Sequence, residues 1–209
     1  MIPVKVLAVR FLPGADPGLC RELGAPQGST SLGLLTTDCD DATYIALDAA
    51  TKAARVEVAY SHSFYAGAAN ATTPYAGEVV GILAGQTPGA VKSGMEAALG
   101  ALENLGFQEK AGVPYLAHTV ASVGSFLARE AGVAVGSALA YLIAPPLESM
   151  VALDAALKAA DVKLCKLYSP PSETNFGGAL LTGTQSACQA ACMAFGEKVG
   201  EIAENPIAH

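Results

Sequence analysis

The chain has 209 residues, of which 52% are apolar and only 15% charged, with a formal net charge of −7. It has no Lys/Arg cluster, which argues against a nucleic-acid partner, and no apolar run reaches the roughly 20 residues of a membrane span. Five cysteines, an odd count without a disulfide spacing pattern, point to a reducing cytosolic setting. So apolar a chain must bury much of itself or meet other protein surfaces.

Met1-Ile2-Pro3-Val4-Lys5-Val6 lacks the layout of a signal peptide, and Val4–Phe11 is predicted as a strand. The apolar pattern then predicts a short helix at Asp16–Leu23, a strand at Ser31–Thr37, a helix at Asp40–Ala54 and a strand at Arg55–Tyr60. Seventeen residues without clear structure follow, Ser61–Gly77, a length that marks a functional segment in a compact domain. A strand at Glu78–Ala84 and a helix at Pro88–Leu105 close the first half. A linker is placed at Gly106–Val113. The second half reads strand Pro114–Val120, short helix Ala121–Ala131, strand Ala138–Ala144, helix Pro145–Ala160, strands Val162–Tyr168 and Gly178–Thr182, and helix Thr184–Ala203. Its loop at Ser169–Gly177 is shorter and stiffened by Pro170 and Pro171.

The halves repeat one another. Leu47-Asp48-Ala49-Ala50-Thr51-Lys52-Ala53-Ala54 returns as Leu153-Asp154-Ala155-Ala156-Leu157-Lys158-Ala159-Ala160, at an offset of 106. Leu19-Cys20-Arg21-Glu22-Leu23-Gly24 with Gly28 returns as Leu127-Ala128-Arg129-Glu130-Ala131-Gly132 with Gly136, at an offset of 108. Two ordered matches at nearly one offset indicate a tandem duplication: two α+β domains, 1–108 and 109–209, each a mixed sheet flanked by helices. Residues shared by both copies are expected to serve the fold, and residues of one copy only to serve function. By that rule the pairs Asp48–Lys52 and Asp154–Lys158, spaced i, i+4, are assigned to helix stability.

Catalytic motifs are absent. No dinucleotide or phosphate loop, nucleophile elbow or Cys-x-x-Cys is present, so no enzyme activity, cofactor or metal is expected. Cys188 and Cys192 share a helix face and read as small core residues. His62 lacks an orienting acid, His118 falls in a strand and His209 at the last position. The acids Asp40 and Asp41 stand where the second copy has Pro146 and Leu147, and Glu78 stands opposite Phe176. With the aromatic Phe107 they suit a small ammonium ligand by charge and cation–π attraction. Asp40 and Asp41 read equally as caps at a helix N-terminus, and both readings stand.

Ser31-Leu32-Gly33-Leu34-Leu35, Asp40-Asp41-Ala42-Thr43-Tyr44-Ile45-Ala46, Phe64-Tyr65-Ala66-Gly67-Ala68-Ala69, Tyr141-Leu142-Ile143-Ala144-Pro145-Pro146-Leu147-Glu148 and Pro170-Pro171-Ser172-Glu173-Thr174-Asn175 together resemble the EutL-type shell proteins of ethanolamine-utilisation bacterial microcompartments. The likeness covers nearly the whole chain. It implies two circularly permuted microcompartment domains and a homotrimer forming a flat pseudohexamer, which tiles with other shell proteins in the cytoplasm. It also implies a central pore gated by the two long loops, with Tyr65, Asn70, Asn175 and Phe176 as candidate pore-facing residues. Ethanolamine or cobalamin is the implied passing ligand. A soluble tandem-domain sensor of a small amine is the competing expectation.

Overall fold

The computed structural model describes residues 1–64, 78–170, 172 and 174–207. The chain parts into two compact units. One comprises Pro3–Leu105 with Gly124–Leu127, and the other Met1–Ile2, Gly106–Val123 and Ala128–His209.

In the unit built on Pro3–Leu105, strands β2 (Val6–Pro13), β3 (Ser31–Thr37), β4 (Glu57–Ser63) and β5 (Val79–Gly85) form one sheet in the order β2-β3-β5-β4. Its three ladders are antiparallel. Helices α2 (Asp40–Ala53) and α3 (Pro88–Leu102) pack on each other and on this sheet. Gly33 and Gly81 make room for them: a Cβ on Gly33 would strike Met95 and Val91 of α3, and one on Gly81 would strike Leu47 of α2. The alternate strand positions Leu32, Ile82 and Ala84 form a second, smaller core with Cys20 of α1 (Pro17–Glu22). Pro17 at the start of α1 and Pro88 at the start of α3 give up N–H groups that would have no helical partner there. Asp16 and Thr87 cap those two helices by accepting from Leu19 N–H and Ala90 N–H.

The other unit repeats this order. Strands β7 (Val113–Val120), β8 (Ala138–Ala144), β9 (Val162–Tyr168) and β10 (Gly177–Gly183) run β7-β8-β10-β9, and α5 (Pro146–Ala159) and α6 (Gln185–Glu204) pack against them. The ladders joining these four strands are again antiparallel, which narrows the expected mixed sheet. Its core sets Ala138, Ala140, Leu142 and Ala144 of β8 against Phe195 and Val199 of α6. Alternating alanines let the helix approach the sheet, and the phenyl ring fills the space they leave. Cys188 and Cys192 lie in this core, and burial pushes the Cys192 thiol up to about 11.

Helix α4 (Ser125–Ala131) ends at Gly132, as α1 ends near Gly24. Both glycines have positive φ, 66° and 71°, and Gly136 and Gly28 follow at 90° and 85°. All four repeated glycines thus occupy the backbone region that disfavours a side chain, which is why both copies keep them.

Two features depart from the sequence reading. The stretch read as a linker contains β6 (Gly106–Lys110), which pairs antiparallel with β7. The two strands join through Ala111 and Gly112, both at positive φ, in a two-residue hairpin loop. Strand β1 (Ile2–Pro3) then borders β6. Strand β4 also continues through Ser61, His62 and Ser63, residues assigned above to the loop.

Candidate functional site

The acidic residues collect around the N-terminus of α2. Strand β3 ends at Thr37, whose hydroxyl lies 2.7 Å from that of Thr43 and donates to the Cys39 carbonyl. This clasp turns the chain sharply into the helix. Cys39 takes the N-cap position without a side-chain cap bond, so Asp40 and Asp41 lie in the first helical turn rather than at the cap. Both are buried, not solvated. Asp40 accepts from the Asp41 backbone N–H at 2.9 Å, so it does satisfy one of the free donors of the first turn.

Burial raises the Asp40 carboxyl above the usual aspartate range, while hydrogen bonds from Ser63 and from the Asp41 backbone pull it down in part. The Ser63 hydroxyl is in turn hydrogen-bonded to the Tyr44 hydroxyl. Glu78 joins the cluster from the start of β5. Its backbone N–H donates to the Thr37 carbonyl at 2.8 Å, and its carbonyl accepts from Phe64 N–H at 3.0 Å. Its carboxyl is also raised, first by burial and then by the charges of Asp40 and Asp38. Asp38 is exposed and tied to the Lys5 backbone N–H at 2.7 Å. Asp40, Asp41 and Glu78 therefore share one unit and one field. The Cys39 thiol between them is pushed up by burial and then by Asp41, which keeps it a protonated, inert thiol.

Phe107 lies on β6 in the other unit, 5.4 Å centroid to centroid and edge-on to Phe176. One ligand-site candidate and one pore candidate are thus in contact. Asn175 is exposed with φ 64°, a left-handed turn position that asparagine tolerates. Tyr65 and Asn70 lie outside the described residues. His62 sits on edge strand β4 beside Tyr60, and His118 is half-buried on β7. Among the described residues no group of three His, Cys, Asp or Glu is placed to hold a metal, and no helix is long and apolar enough to cross a membrane.

One residue has a role the sequence did not reveal, beside its i, i+4 pair with Lys52. Asp48 is fully buried, and its two oxygens accept from Gly124 N–H at 2.7 Å and Leu127 N–H at 2.9 Å. Thr51, one turn on, accepts from Ser125 N–H at 3.1 Å. Residues 124–127 therefore lie in the same unit as α2, and Asp48 holds the start of α4. Asp154 instead makes an exposed 2.6 Å pair with Lys158.

The BMC domain family model matches residues 31–114, from β3 through β6 to the start of β7. A curated relative, the bacterial microcompartment shell protein EutL of Clostridium perfringens, is 53% identical over 99% of this chain and 97% of its own. The chain belongs to the EutL family of bacterial microcompartment shell proteins. The Salmonella typhimurium member is 48% identical over 99% of this chain and 96% of its own. The solved structure of the ethanolamine utilisation protein EutL from Leptotrichia buccalis superposes with a TM-score of 0.96 at 56% identity, covering 100% of this chain and 98% of that one. Membership makes the chain a structural component of a microcompartment shell rather than an enzyme.

Proposed function

We propose that three copies of the chain form a closed, flat pseudohexamer within the shell, with a gated central pore that passes ethanolamine or cobalamin. The duplication carries this reading. Each chain contributes two units with the same order of strands and helices, which supports two microcompartment domains, proposed at 1–108 and 109–209. Three chains then supply six similar domains, and closed symmetry is the norm for such assemblies. The soluble-sensor alternative has no support beside membership in a shell-protein family.

Sedimentation equilibrium tests the assembly. The expected mass is three times that of the 21.1 kDa chain. A monomer at micromolar concentration rejects the trimer.

The proposed gate is the pair of segments 61–77 and 169–177, with Tyr65, Asn70, Asn175 and Phe176 facing the pore. The support is the composition of the first, which holds no Lys, Arg or carboxylate and many small residues. Backbone amides of the two proposed gate segments are expected to exchange with deuterium far faster than those of β5. Protection equal to that of Val79–Leu83 rejects the gate. Asp40, Asp41 and Glu78 are proposed to bind the ammonium group of a small amine such as ethanolamine. The support is that the three acids belong to one copy, that burial raises the Asp40 and Glu78 carboxyls, and that the Asp40 charge raises Glu78 further. That cost is relieved by a cation.

A further inference from the structure

Helices α2 and α5 are counterparts, 14 residues each, 106 positions apart. One stripe of α2 is covered in the folded chain: Asp41, Ile45 and Asp48 are 7%, 5% and 0% exposed. The start of α4 is seated beside it, through the bonds of Asp48 and Thr51 and the ring contact of Tyr44 with Phe126, 6.0 Å between centroids. The same stripe of α5 is bare. Leu147 and Val151 are 63% and 44% exposed, and the Asp154 side chain is 64% exposed.

The segment matching the start of α4, at the offset of 108, is the start of α1. It too is bare: Leu127 is 1% exposed and its counterpart Leu19 44%. One junction is filled within the chain, and both halves of its counterpart stand empty. We propose that the Leu147–Val151–Asp154 stripe of α5 receives residues Asp16–Leu19 from a second copy of this chain.

The substitutions between the copies fit this seat. Thr51 accepts an N–H from Ser125. Their counterparts are Leu157 and Pro17, and neither takes part in such a bond, because proline has no N–H to give. Asp48 caps Leu127 N–H, whereas Leu19 N–H is already capped by Asp16 of its own chain, which frees Asp154 to pair with Lys158. The second seat therefore lacks the hydrogen bonds of the first. A Cβ on Gly124 would lie 2.2 Å from the Thr51 hydroxyl, whereas its counterpart Asp16 carries one, so the second seat must leave more room there. The contact is head-to-tail, and contacts of that type build a ring when the rotation closes.

This inference rests on the trimeric reading, and the test separates the two. Leu19→Asp and Val151→Asp change side chains exposed in the single chain, so each variant is expected to keep the wild-type circular dichroism, its melting temperature falling only by what subunit association contributes. Each is expected to sediment as a monomer where wild type is a trimer. Mixed at equal concentration, the two monomeric variants are expected to form a one-to-one pair, because one intact seat survives between them. Variants that remain trimeric, or a mixture that stays monomeric, overturn the assignment of this face and leave the trimer standing. A wild-type monomer overturns the trimeric reading itself.

Discussion

Replacing Asp48 with alanine is expected to lower the stability of the chain by about 3 kcal/mol, because it orphans two buried backbone donors at roughly 1–3 kcal/mol each. Those donors are Gly124 N–H and Leu127 N–H, held at 2.7 and 2.9 Å by a carboxylate with no solvent exposure. The Lys52 ammonium, 3.4 Å from Asp48, loses that contact as well. For a chain of this length the melting temperature falls about 2–4 °C per kcal/mol, so a drop of about 6–12 °C is expected. Asp48→Asn keeps one acceptor oxygen and is expected to lose roughly half as much. Asp154→Ala, the counterpart in the second copy, removes only an exposed ion pair and is expected to cost under about 1 kcal/mol. Thermal scans of the three variants check this. Equal losses from Asp48→Ala and Asp154→Ala would falsify the role given to the buried carboxylate.

Asp48 also shows where sequence reading fails. Its i, i+4 partner Lys52 was visible and repeated in the second copy, so the pair looked like helix support. The donors that matter lie 76 and 79 residues away, and no local pattern carries them. The succession of strands and helices along the chain was legible because apolar periodicity agreed with the repeats at offsets of 106 and 108. The repeated glycines were legible for a backbone reason, now visible as positive φ in both copies. Strand β6 was missed because Gly-Phe-Gln-Glu-Lys is short and polar. Its turn is Ala-Gly, without the asparagine or aspartate that marks a two-residue hairpin loop. The acid cluster was half legible. That Asp40, Asp41 and Glu78 belong to one copy could be read from the alignment of the halves. That Ser63 and Tyr44 back the cluster could not, because β4 was ended too early.

The acid cluster should make both stability and ligand binding depend on pH, in a predictable direction. The folded Asp40 carboxyl lies above its ordinary value of 3.8, and Glu78 above 4.5, burial being the largest cause in each. Between the ordinary and the raised values the folded chain holds protons that the unfolded chain has released. Stability contributed by these groups is therefore highest at the ordinary value, falls as pH rises through the raised one, and stays level above it. Asp40→Asn cannot ionise yet keeps an oxygen for Ser63 and the Asp41 N–H. It is expected to gain on wild type steadily as pH rises through that window. A cation at the cluster acts in the opposite sense, favouring the ionised acids, so ethanolamine should bind more tightly as pH rises through the same window. Calorimetry on wild type and Glu78→Gln at pH 5 and pH 7.5 reads this directly. Millimolar ethanolamine is expected to bind wild type at pH 7.5, more weakly at pH 5, and least of all to the variant. Absence of binding to wild type, or equal binding by Glu78→Gln, leaves Asp40 and Asp41 as the structural start of α2 and Glu78 as a charge at the start of β5, and removes the amine from the function of the chain.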